Sequence, residues 1–169
     1  MLQYFYLIFL LSCSLILEVL FRSVGLYIPL AAFAVFYTAC LCGLVPGVLF
    51  GFAAGFLIDS LLGYPAPYSM LFYPLLLPMV WLLEEEQLNA NSLLFQMGFG
   101  SLTVILVQLP VVPWRNGWQV TLELLPAFFL ASLFAAMLLP FFIWIADRFS
   151  EAMCLRTYTR SFSTGKERD

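Results

Sequence analysis

Asp59 is the only charged residue between Arg22 and Glu84, and it lies on a line of glycines. The stretch GLVPGVLFGFAAGFLIDSLLG sets Gly43, Gly47, Gly51, Gly55 and Gly63 at four-residue intervals, with the carboxylate in the one remaining place. The other groups that could do chemistry are sparse. Glu84, Glu85 and Glu86 are adjacent, so on a helix or loop their side chains point in different directions and read as a solvated helix end rather than a cation site. Cys13, Cys40, Cys42 and Cys154 have no ligand or disulfide spacing, and the sequence has no histidine to assist them; they read as small apolar fillers plus one tail thiol. There is no P-loop, no carboxylate pair at a working distance and no nucleophile beside a base. No enzymatic activity, cofactor or metal is expected.

Composition sets where these residues work. Of 169 residues 63% are hydrophobic and 10% charged, against roughly half and a quarter in a soluble domain. The chain therefore reads as an all-α, multi-pass membrane protein surrounded by lipid, with no nucleic-acid partner. A span needs about 20 apolar residues, which leaves room for six or seven and no soluble module. The first apolar run lacks a basic leader, and Leu11-Ser12-Cys13 is a poor lipoprotein site, so that run is expected to be retained as a span.

Charges and breakers divide the chain into six spans, at about 4–21, 25–42, 46–62, 67–83, 92–112 and 124–146. The first closes on Glu18 and Arg22, an i,i+4 pair able to neutralise itself at the interface. The long uncharged stretch from Val24 to Ile58 turns at Cys42-Gly43 and Pro46. Pro67 suits the first turn of the fourth helix; Pro74 and Pro78 lie inside it, each removing a backbone hydrogen bond, and read as packing devices that bend the helix. Trp81, Trp114, Trp118 and Trp144 all fall near proposed ends, as interfacial tryptophans should. Five of the seven basic residues (Arg148, Arg156, Arg160, Lys166 and Arg168) follow the last span, which makes 148–169 a basic cytoplasmic tail. Six spans then put the N-terminus on the same side. Arg22 and Arg115 fall outside in this arrangement, against the charge rule, and a five-span alternative would place the N-terminus outside.

The glycine ladder needs a reason, because each glycine costs roughly 1 kcal/mol of helix propensity in water. Close approach of another helix is the usual compensation. Four residues advance about 400°, so the ladder drifts about 40° per step and cannot face one partner throughout. Two patches are expected: a lower one at Gly47 and Gly51, and an upper one at Gly55, Asp59 and Gly63. A carboxylate one turn after Gly55 faces whichever helix docks there, as a buried acceptor or in protonated form.

The run GVLFGFAAGFLIDSLLG followed by YPAPYSM resembles the signature of the rod shape-determining protein MreD family. The resemblance falls on Gly51, Gly55, Asp59 and Gly63, with weaker echoes in Tyr27-Ile28-Pro29 and in Pro140 of a last helix leading to a short basic tail. This chain departs from the family pattern at Pro67, where a glycine is usual, and at Leu30, where a polar residue often follows the early proline. The resemblance implies a bacterial inner-membrane component of the cell-elongation machinery, non-enzymatic, that binds an MreC-like bitopic protein. Through the complex it would connect with the MreB cytoskeleton, RodA and a class B transpeptidase. It also implies a six-helix fold similar to the substrate-binding subunits of energy-coupling-factor transporters.

That similarity supplies the alternative, a substrate-binding membrane subunit of a vitamin-type transporter. Such a subunit needs a pocket lined with convergent polar groups. The spans offer few: Asp59, Gln96, Thr103, Gln108 and scattered serines and tyrosines. A scaffold whose helix-packing interface includes Gly47, Gly51, Gly55, Asp59, Gly63 and Pro140 is the preferred reading.

Overall fold

A computed structural model describes residues 2–26, 28–63, 66–85, 93–108 and 118–158, including their side chains except at 79–85, 108 and 118–124. Among these residues there are six helices: α1 Leu2–Ser23, α2 Leu30–Cys42, α3 Leu44–Leu62, α4 Tyr68–Glu85, α5 Leu93–Gln108 and α6 Trp118–Ala152. Sequence neighbours pack side by side, α3 on α4 and α5 on α6 most extensively, then α2 on α3 and α1 on α2.

The interior is built round α2. Every residue from Leu30 to Thr38 is buried, as suits a helix apolar on all faces. Thirteen residues make a rod of about 20 Å, shorter than the ~30 Å hydrocarbon layer, so α2 is enclosed by its neighbours rather than by lipid along its length. The outer faces carry the large apolar residues: Phe5 and Phe9 on α1, Leu49 and Phe56 on α3, Leu75 on α4, Phe129 and Phe141 on α6. Such a continuous exposed apolar surface is an aggregation hazard in water and without cost in lipid. Three helices (Leu2–Ser23, Leu44–Leu62 and Leu125–Ala152) are long and apolar enough to cross a membrane, and Leu30–Cys42, Tyr68–Pro78 and Leu93–Val107 are shorter apolar helices.

The bounds of two helices differ from the sequence reading. Helix α2 begins at Leu30, not near residue 25, because Gly25 (φ 85°) and the Leu26 N–H to Phe21 carbonyl bond (2.8 Å) end α1, and Pro29 opens the next helix. Helix α6 begins at Trp118 rather than near 124, and it runs past 146 to Ala152. Asp147, expected to mark its end, is buried and hydrogen-bonded instead. The tail does not begin at Arg148 either, since Thr157 and Tyr158 return to the interior.

Trp144 is exposed, with the Arg148 guanidinium 5.8 Å from its ring centroid, as suits a headgroup-level pair. The expectations for the side chains of Trp81, Glu84, Glu85, Gln108 and Trp118, and for Tyr27, Glu86 and Trp114, lie outside the described residues.

Candidate functional site

Helices α2 and α4 begin alike. Each is preceded by a proline, Pro29 or Pro67, whose side chain cannot accept a hydrogen bond. The first N–H groups of a helix have no partner within it, and in an apolar bundle no water replaces the missing cap. A carboxylate from the preceding helix fills that role in both cases.

Asp59, 5% exposed, reaches from the last turn of α3 to the start of α4. Its Oδ1 accepts the Ser69 N–H at 3.1 Å and its Oδ2 the Met70 N–H at 3.0 Å. A negative charge there also faces the positive end of the α4 dipole. Glu18, 0% exposed, reaches from α1 to α2. Its Oε2 accepts the Ala31 N–H at 2.9 Å, and its Oε1 accepts from Arg22 Nη2 at 2.5 Å and from the Tyr73 hydroxyl at 3.1 Å. Tyr73 lies one turn after the N–H groups that Asp59 caps. One polar cluster thus ties α1, α2, α3 and α4 together at the end of the bundle that holds the α1–α2 and α3–α4 turns.

A third carboxylate works at the opposite end. Asp147 Oδ1 accepts the Tyr37 hydroxyl of α2 and the Tyr158 N–H, each at 2.8 Å. The Tyr6 hydroxyl of α1 donates to the neighbouring Ala146 carbonyl at 2.7 Å. These bonds bring the start of α1 and the end of α6 to the same end of the molecule.

The glycine ladder divides differently from the expected two patches. A Cβ on Gly47 would come within 2.5 Å of Ala39 Cβ in α2, and 3.1 Å from Leu77 Cδ1. At Gly51 it would sit 3.2 Å from the Pro74 nitrogen, and at Gly55 it would collide with the backbone of Ser69 and Met70. Gly51, Gly55 and Asp59 therefore all face α4, while Gly47 lies against Ala39 of α2 with the Leu77 side chain of α4 beside it. The break falls one step earlier than the sequence reading placed it. Gly63 leaves the ladder altogether: nothing lies within 4 Å of its Cβ position, and it caps α3 in the left-handed conformation (φ 64°, ψ 35°), which only glycine adopts freely. Pro140 is part-buried within a continuous α6, and Pro74 is buried where Gly51 meets α4.

Sequence reasoning passed over Gly100, whose Cβ would strike the Ala135 carbonyl of α6. Beside it Ser101 Oγ donates to the Ser132 carbonyl at 3.3 Å and Ser132 Oγ to the Ser101 carbonyl at 3.5 Å. The available signal was the small-residue run Gly98-Phe-Gly100-Ser101 opposite Ala131-Ser132 and Ala135-Ala136. Glu18 was legible as a partner of Arg22 but not as the α2 cap; the proline before α2 was the clue. Thr103 Oγ1 donates to carbonyls of its own helix, at Phe99 (2.7 Å) and Gly100 (2.8 Å).

Chemically, these carboxylates act as acceptors for backbone N–H, tyrosine and arginine groups of the same chain. Among the described residues no group of three or more His, Cys, Asp or Glu residues is placed to hold a metal ion. Comparison with protein-family models, with curated proteins and with solved structures finds no match to this chain.

Proposed function

We propose that the chain is a non-enzymatic integral membrane scaffold of the bacterial cell-elongation complex, with six membrane crossings and both termini cytoplasmic, that docks an MreC-like bitopic protein. Through that partner it influences the MreB cytoskeleton, RodA and a class B transpeptidase, and hence cell shape and peptidoglycan synthesis. The link to this machinery rests on the resemblance of helix α3 to the MreD signature. The observation that carries the scaffold reading is the use of Asp59: both its oxygens are held by the α4 N-terminus, so the residues of the signature build a fixed helix pair. A carboxylate serving a transported ligand would need an oxygen turned toward a cavity.

The test is co-purification of the full-length protein from membranes with a co-expressed MreC-like bitopic partner. The partner is expected to be retained; its absence from the eluate while both proteins insert overturns the reading. Because Gly51 and Gly55 are enclosed by α4, Gly55→Leu should lose partner and folded bundle together. Asp59→Asn keeps one acceptor oxygen and should retain the partner. A specific effect of Asp59→Asn on uptake of a small molecule would favour the transporter subunit instead.

A further inference from the structure

After Ala152 the chain turns back on itself. The Met153 and Cys154 N–H groups bond to the carbonyls of Phe149 (3.2 Å) and Glu151 (3.0 Å), Cys154 takes φ 56°, and the Leu155 N–H reaches the Ser150 carbonyl at 2.9 Å. Ser150 Oγ donates to the Arg156 carbonyl at 2.7 Å. Tyr158 then enters the bundle, 0% exposed, its N–H on Asp147 and its ring 6.5 Å from that of Tyr37 and 6.1 Å from that of Phe36. Asp147 Oδ1 is shared between this returning segment and α2.

We propose that residues 153–158 form a releasable strap that clamps the α5–α6 pair onto α1–α4. Several side-chain ties between these two groups lie near the strap, Tyr37 to Asp147, Tyr6 to Ala146 and the Phe36–Phe99 ring stack at 4.4 Å, with a Phe33–Phe142 edge contact at 6.1 Å farther along. Farther along α6 the attachment thins, for no residue from Leu125 to Phe134 is buried, whereas Ala135, Leu139, Ile143, Ala146 and Asp147 are. Helix α6 is therefore held toward its strap end, while α5 also packs on α4. The strap is short: it buries Thr157 and Tyr158, packs Leu155 partly against the core and leaves Met153, Cys154 and Arg156 exposed, and Cys154 is a non-glycine residue in the left-handed region, a conformation uncommon outside glycine, asparagine and aspartate. A short segment with half of its residues exposed can open locally without global unfolding. Opening would free Asp147 and the Phe36–Tyr37 surface together, so any pull on the chain beyond Tyr158 would be felt at α2.

Trypsin reads the strap directly, since cleavage after Arg156 requires the buried Thr157 to leave the bundle, and its rate follows the open population when closing is fast. In nanodiscs the full-length protein should be cut there at least about tenfold more slowly than Tyr158→Ala, which loses a buried ring. Spin labels at Leu20→Cys and Leu130→Cys, both exposed positions, in a cysteine-free chain should show a shifted or broadened distance in Tyr158→Ala. Rapid cleavage of the parent, or equal cleavage and equal distances in parent and Tyr158→Ala, overturns the strap. If Tyr158→Ala fails to accumulate, Tyr37→Phe and Asp147→Asn weaken the hydrogen bonds around Asp147 and leave the Tyr158 ring in place; each should raise cleavage after Arg156 severalfold, and no rise in either overturns the proposal.

Discussion

Removing the Asp59 carboxylate leaves the buried N–H of Ser69 and the part-buried N–H of Met70 without their acceptors. Asp59→Ala should lower stability by about 1–3 kcal/mol, the range for lost caps and for buried donors left unsatisfied. Asp59→Asn should lose less, because one amide oxygen still accepts. Unfolding in mixed micelles of increasing denaturing-detergent fraction measures both, and equal stability of all three proteins would refute the capping role. The glycines allow a sharper contrast, since they share a residue type and differ only in surroundings. Gly55→Ala forces a methyl into the α4 backbone and should destabilise by about 1–3 kcal/mol, as overpacking does. Gly98→Ala meets nothing within 4 Å inside α5 and should be neutral or stabilising by up to about 1 kcal/mol through helix propensity. Similar losses at both positions would show that propensity, and not helix contact, governs them.

Each helix pair has its own small-residue contact and polar tie. In α3–α4 the contact is Gly55 against Ser69 and Met70, and the tie is Asp59; in α5–α6 the contact is Gly100 against Ala135, and the tie is the reciprocal Ser101–Ser132 bond. Packing and interhelical hydrogen bonds have to do this work, because lipid gives helices no hydrophobic reason to associate. Gly100→Leu should therefore separate α5 from α6 while leaving the α3–α4 pair intact. Cysteines at Ser101 and Ser132, in a chain otherwise free of cysteine, should form a disulfide under mild oxidation and lose it when Gly100 is leucine. Persistence of the cross-link in the Gly100→Leu chain would mean that the close approach does not depend on the glycine. Pro74 and Pro78 belong to this scale too: α4 continues through both, and the missing side chain of Gly51 is what admits Pro74.

At the scale of the molecule, the Tyr6–Ala146 and Tyr37–Asp147 bonds set the N-terminal turn of α1 and the last turns of α6 at one end. Reporters fused before Met1 and after Asp169 should accordingly signal the same side of the membrane. A reporter active only in the periplasm should be silent at both; opposite signals would break the proposed six-crossing topology. The sequence by itself determined the material of this fold. Composition alone fixes an apolar helical chain, Gly43 and Gly63 with their neighbouring prolines mark turns, and a four-residue glycine period announces close contact on α3, because these properties are local and follow from helix geometry and propensity. It also showed that Asp59 needed a partner, since a charge in so apolar a segment cannot go unsatisfied. Which partner was beyond its reach. That Gly47 faces α2 while Gly51 and Gly55 face α4, that Glu18 caps a helix thirteen residues away, and that Tyr158 returns to share Asp147 with Tyr37 all depend on crossings between segments distant in the chain. Only the tertiary structure decides these, because a buried acceptor can be satisfied by backbone, hydroxyl or guanidinium donors alike, and packing decides which comes within about 3 Å.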